Sequence, residues 1–95
     1  MVNLKSNVLK KYLDIIPNAI IVVGADWCPH CNVLMDKIKD LEDKDCGYQF
    51  LYIDGDKFGD VADELHIEKY PTMIKYINGK EVKRKTGSNI NKFIK

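Results

Sequence analysis

The apolar residues of this chain change their spacing several times, and each change marks a new element. From Asn3 to Ile16 they fall at Leu4, Val8, Leu9, Tyr12, Leu13 and Ile16. Steps of three and four describe an amphipathic helix with Lys5, Lys10, Lys11 and Asp14 outward. Pro17 ends the pattern, because proline disfavours helical backbone at the residue before it. Ala19 to Val23 (AIIVV) is then a continuous apolar run, β-branched and without alternation. Such a run suits a strand buried on both faces of a sheet.

Gly24, Ala25 and Asp26 break the run, and helical spacing resumes with Val33, Leu34, Ile38 and Leu41. This predicts a helix from Cys28 or Pro29 to about Lys44, with Asp36, Lys37, Lys39, Asp40 and Asp43 outward and Gly47 as terminator. Tyr48 to Ile53 (YQFLYI) reads as a second strand, ending at Asp54-Gly55-Asp56. A short helix from Phe58 to His66 follows, turning Val61, Ala62 and Leu65 inward. Thr72 to Ile77 and Glu81 to Lys85 flank Asn78-Gly79, the strongest short hairpin signal. Ser88 is the expected N-cap of a last helix through Phe93 and Ile94. The order α-β-α-β-α-β-β-α predicts one domain over residues 1–95. Its fold class is α/β: three layers, α/β/α, around a mixed four-stranded sheet made of a parallel β-α-β unit and an antiparallel hairpin.

Composition adds mainly exclusions. Fifteen basic and fourteen acidic residues are mixed along the chain, so nothing marks a nucleic-acid or membrane-surface partner. The densest basic spot, Lys83-Arg84-Lys85, suits a solvated edge strand whose charge discourages edge pairing. No segment approaches the ~20 apolar residues of a membrane span. The first residues lack the basic head, apolar core and cleavage site of a signal peptide. Three cysteines, two of them in one C-x-x-C, argue against a secreted disulfide framework and for a cytosolic protein with a working dithiol.

That dithiol is the candidate chemistry. Trp27-Cys28-Pro29-His30-Cys31 sits where the first buried strand gives way to a helix. A helix N-terminus has unpartnered N–H groups and positive potential, which favour a thiolate at Cys28. Pro29 is suited to an early helical position. Cys31 lies nearly one turn behind, close enough to close a small disulfide ring. Cys28, nearer the end, is the expected exposed nucleophile, and Cys31 the more buried resolving thiol. His30 can hydrogen-bond to the Cys28 thiolate or stabilise it by charge, making the disulfide a better oxidant.

These residues, with Ile53-Asp54, the Tyr70-Pro71-Thr72 step, Asn78-Gly79 and Gly87, make the chain resemble the thioredoxin-fold family from about Ile20 onward. The resemblance implies protein thiol–disulfide oxidoreductase activity, with Cys28 and Cys31 exchanging electrons with protein disulfides. It implies that Pro71 is a cis-proline facing the dithiol, that Tyr70, Pro71 and Thr72 hold the substrate, and that Trp27 lies as a half-exposed lid against the site. It implies no bound cofactor and no metal. Electrons would come from a thioredoxin-reductase-like donor or from glutathione, to a monomer. Several positions depart from the family. Val22 and Phe50 stand where a buried aspartate and a facing lysine are usual, Asp36 stands where a helix proline is usual, and a leading first strand is absent. Pro29-His30 replaces Gly-Pro between the cysteines. That dipeptide is shared with strongly oxidising DsbA-type proteins, so a potential more oxidising than that of a Gly-Pro thioredoxin is expected.

Two other readings use the same residues. A glutaredoxin-like, glutathione-dependent enzyme would take the glutathione carboxylate at Gly87-Ser88-Asn89. A dimeric metal or iron–sulfur module would use Cys28, His30 and Cys31 from two copies, because a structural zinc needs about four ligands. Intact cysteines speak against a redox-dead binding domain. Cys46, ~27 Å along the helix from Cys28, is outside the dithiol. His66 reads as a surface or capping residue, Asp26 as a turn carboxylate, and Asp54, Asp56 and Asp60 lack the pattern of a calcium loop.

Overall fold

The computed structural model describes residues 2–3, 9–44 and 47–94. In chain order the elements are β1 (Val2–Asn3), α1 (Leu9–Ile15), β2 (Asn18–Gly24), α2 (Pro29–Asp43), β3 (Gln49–Asp54), α3 (Gly59–Glu64), β4 (Thr72–Ile77), β5 (Lys80–Thr86) and α4 (Ile90–Phe93). One sheet holds all the strands in the order β1-β3-β2-β4-β5. β2 lies parallel to β3 and antiparallel to β4, and β5 closes the hairpin on β4. The four strands expected from the sequence are therefore present in a mixed sheet between two helical layers.

The leading strand is a correction. Val2–Asn3 pairs in parallel with Leu51 and Tyr52 of β3 and adds a fifth strand at the edge, where a helix beginning at Asn3 was expected. Two residues are too few to show any period, so pattern could not reveal it. Residues 4–8, part of that expected helix, lie outside the described residues, as does Cys46.

β2 is central because both its faces are covered. Ala19, Ile21 and Val23 join Leu51, Ile53, Ile74 and Tyr76 in a core closed by Leu13 of α1 and Val61 of α3. Ile20 and Val22 join Phe50 and Met73 in a second core closed by Leu34 and Ile38 of α2 and by Ile90 and Phe93 of α4. Successive residues thus serve opposite cores, which is why the run carries no alternation. Among the described residues no helix is long and apolar enough to cross a membrane.

Local chemistry sets the ends of the elements. Asn78 and Gly79 both have positive φ, 52° and 81°, as a two-residue hairpin turn of matching twist requires. The Asn78 N–H donates to the Pro17 carbonyl at 2.8 Å, tying this turn to the entry of β2. β5 is exposed along its whole length, with Lys80, Lys83, Arg84 and Lys85 on the free edge. Arg84 pairs with Glu81 and donates to the carbonyls of Leu65 and His66, closing the end of α3. The cap of α4 is Asn89 rather than the expected Ser88: its side chain accepts the Lys92 N–H at 3.4 Å, while the Ser88 carbonyl accepts from Lys37.

Ile38 is fully buried at the centre of the α2 face. Replacing it with Ala should lower stability by about 2–5 kcal/mol. A urea transition moved to lower midpoint with unchanged slope is the expected result.

Candidate active site

β2 ends at Gly24, and the chain turns through Ala25, Asp26 and Trp27 into α2. Cys28 is the N-cap, with extended backbone (φ −86°, ψ 113°) and Pro29 following at the helix start. Its Sγ takes the place of the oxygen that caps most helices, accepting the Cys31 N–H at 3.3 Å. The Cys28 N–H donates to the Ala25 carbonyl at 3.2 Å, which fixes the turn. Both cysteines are free thiols. The Cys28 sulfur therefore occupies the positive end of a four-turn helix.

The expected contrast in exposure between the two sulfurs needs correcting. Cys28 is 4% exposed and Cys31 2%, and both pack with Ala25 under Tyr70. A capping side chain folds back over its own helix, which draws Cys28 in. The exposed groups are those around it: Trp27, Pro29 and His30 form the rim. His30 stands on the first turn of α2 without a hydrogen bond to any described residue.

Two glycines allow the elements to meet here. A Cβ on Gly24 would lie 2.9 Å from the Cys31 Sγ and 3.3 Å from Cε2 of Tyr52, so Cys31 can press on the end of β2 only because that position is glycine. A Cβ on Gly55 would collide with the Tyr70 hydroxyl. The Gly55 N–H donates to the Gly24 carbonyl at 2.8 Å and joins the ends of β2 and β3.

Beside the sulfurs, the Tyr70–Pro71 peptide bond is cis. The Pro71 carbonyl accepts the Gly87 N–H at 2.9 Å, and the Thr72 hydroxyl donates to the Lys69 carbonyl at 2.6 Å. Trp27 is 69% exposed, more than the half-exposed lid expected. Its indole N–H donates to Asp56 Oδ2, and its ring meets Tyr70 edge-to-face with centroids 6.1 Å apart. Contacts on its flank hold it, so it need not lie over the sulfurs. Asp54 is committed to its own turn, its Oδ1 accepting the N–H groups of Asp56 and Lys57. The structure thus brings Trp27, Cys28, Pro29, His30, Cys31, Tyr70, Pro71 and Thr72 to one end of the sheet.

Sequence reasoning missed Gly24, Gly55, Asp56 and Tyr52. Tyr52 was the most accessible to pattern: it is two residues from Phe50 in β3 and so shares the α2-facing side. Val22 and Phe50 are both fully buried among apolar side chains. Burial pushes the Cys31 thiol up to about 12, with the hydrogen bond to Cys28 adding to the effect. Tyr52 is likewise pushed up to about 12, first by burial and then by Asp54 and Asp26.

The family model described as Thioredoxin matches residues 3–95. A thioredoxin of Aspergillus fumigatus is 34% identical over 67 residues, covering 70% of this chain and 62% of that protein. Thioredoxin-1 of Saccharomyces cerevisiae is 32% identical over 65 residues, covering 68% and 63%. The chain thus spans less than two thirds of the length of these curated relatives. The solved structure of Chlamydomonas reinhardtii thioredoxin f2 superposes with TM-score 0.90 at 22% identity, over 99% of this chain and 90% of that one, which shows a shared fold. Fasciola hepatica thioredoxin gives TM-score 0.89 at 25% identity, over 98% and 92%.

The raised Cys31 thiol makes stability depend on pH in a definite direction. Above about pH 9 the unfolded chain releases this proton, whereas the native thiol holds it to about 12. The native state then binds more protons, so stability falls as pH rises through that window. Urea midpoints of the reduced protein at rising alkaline pH should fall more steeply than those of a Cys31→Ala variant. Parallel curves would refute the assignment.

Proposed function

The chain belongs to the thioredoxin family, and we propose that it is a thiol–disulfide oxidoreductase acting on protein disulfides through Cys28 and Cys31. The observation that carries this reading is the Cys28 sulfur serving as the N-cap of α2 with Cys31 one turn behind it. The N–H groups and positive potential of a helix start stabilise a thiolate there. The Cys28 thiolate attacks a substrate disulfide, and the displaced substrate sulfur leaves as a thiolate. Cys31 then attacks the Cys28 sulfur of the mixed disulfide, closing Cys28–Cys31 and releasing the reduced substrate. The oxidising direction runs the same steps backwards.

Tyr70 packs against the sulfurs; with Pro71 and Thr72 it holds the substrate segment, and with Trp27 it offers that segment an aromatic wall. His30, exposed at the helix start, acts on the thiolate by charge and makes the disulfide more oxidising than that of a Gly-Pro thioredoxin. The protein works as a cytosolic monomer, and a thioredoxin-reductase-like enzyme or glutathione returns its electrons. The electron-donor assignment rests on the dithiol itself, and the cytosolic one on an odd cysteine count with two of the three in one C-x-x-C.

With a protein disulfide such as that of insulin, Cys28→Ser should reduce turnover to background. Cys31→Ser should accumulate a mixed disulfide on Cys28, visible as added mass that a reductant removes. No adduct on Cys28 would overturn the reading.

Equilibration with glutathione redox buffers tests His30. The wild-type potential should lie above the roughly −270 mV of thioredoxin. His30→Ala should bring it down by about 30 mV, a tenfold change in the equilibrium constant. A wild-type value at the thioredoxin level, unmoved by the substitution, would make His30 a bystander.

A further inference from the structure

The resolving thiol has a proton to lose and no described carboxylate to take it. Cys31 is only 2% exposed, and its sulfur presses on the end of β2 at Gly24. Asp54 is engaged by the N–H groups of its turn, and Asp56 by the Trp27 indole. Asp26 is exposed in the turn above, and Val22 and Phe50 are apolar. Two phenols border Cys31: Tyr70 covers it, but with its hydroxyl over Gly55 and against Asp56, whereas Tyr52 meets it on the Gly24 side. The Tyr52 Cε2, adjacent to the carbon bearing the hydroxyl, and the Cys31 Sγ both lie within 3.3 Å of the point where a Cβ of Gly24 would stand. The groups acting on the Tyr52 hydroxyl come from each surrounding segment: Asp54 from the end of β3, Asp26 from the turn after β2, and Cys31 and Cys28 from the start of α2.

The hydroxyl also reaches water. Tyr52 is half-buried and makes no hydrogen bond to a described residue. No side-chain oxygen or nitrogen among the described residues is both sealed from solvent and unpartnered. Tyr52 therefore has the ring edge beside its hydroxyl near the Cys31 sulfur and the hydroxyl itself at solvent.

We propose that Tyr52 is a positioning residue for the resolving step, its hydroxyl holding a water that carries the Cys31 proton out to solvent. The proposal rests on the dithiol reading above. In the step, the Cys31 S–H bond breaks and the proton passes to the water, then through the hydroxyl to bulk solvent. The freed electron pair attacks the Cys28 sulfur, a Cys28–Cys31 bond forms and the Cys28–substrate bond breaks. The substrate sulfur leaves with that electron pair and takes a proton from solvent. The two cysteines are oxidised, the substrate is reduced, and the hydroxyl ends as it began. A phenol that stays neutral suits this work, because it donates and accepts at once.

In a Cys46→Ala background, used for wild type and variant alike, the aromatic disulfide dithiobis(nitrobenzoate) separates the two steps. Attack by Cys28 releases a first coloured thiolate, and attack by Cys31 on the resulting mixed disulfide releases a second. In Tyr52→Phe the first release should match wild type. The second should slow by about tenfold near neutral pH, part of the ~10²-fold that a fully placed proton-transfer group supplies. The deficit should shrink as pH rises, because hydroxide then takes the proton directly, and added imidazole should also reduce it. Equal second-release rates would overturn the proposal. So would a deficit of the same size at every pH and untouched by imidazole, which is the mark of a packing change. Absence of the first release in wild type would instead sink the dithiol reading.

Discussion

The site depends on how closely the first turn of α2 packs against the end of β2. Cys31 sits 2.9 Å from where a Cβ of Gly24 would be, an approach open only to glycine. That approach places Cys31 against the sheet and Cys28 at the cap, where the helix start supplies its N–H groups. The Gly55–Gly24 hydrogen bond then holds β3 level with β2, and Tyr70 closes over the sulfurs in space that Gly55 leaves open. A larger residue at either glycine would force the parts of the site apart.

The two cores explain why this junction is firm. β2 carries apolar side chains on both faces, so α1 and α3 bury one side and α2 and α4 the other. Burial of that area is the main favourable term, and a strand shared by two cores moves only if both are disrupted. The polar demands nearby are met locally: Asp54 by its turn, Asp56 by Trp27, and the helix start by sulfur. Most charge lies on exposed faces such as β5, where water screens it, while the buried Lys75 ammonium of β4 sits over the rings of Tyr48 and Phe93.

The long strands, the hairpin and the dithiol were legible because each rests on residues adjacent in the chain. Pro29 after Cys28 announces a helix start, Asn78-Gly79 a tight turn, and an unbroken β-branched run a central strand. β1 was not legible, since two residues carry no period. Nor was the burial of Cys28, which follows from how a capping side chain folds over its helix and from Tyr70, forty-two residues away, arriving above it. The Trp27–Asp56 bond joins residues twenty-nine apart, and no spacing rule connects them.

The sequence by itself determined the order of elements from α1 onward, the central place of β2 and the position of the paired sulfurs at the start of α2, because local backbone preference and apolar spacing act over a few residues. Only the tertiary structure decided which groups surround those sulfurs. It set Asp54 and Asp56 to other tasks, buried Val22 and Phe50 in the core, and put Tyr52 and Cys31 together on one side of Gly24. Those relations depend on strand register and on contact at close range between distant segments, and register is a property of the packed sheet rather than of any one stretch of chain.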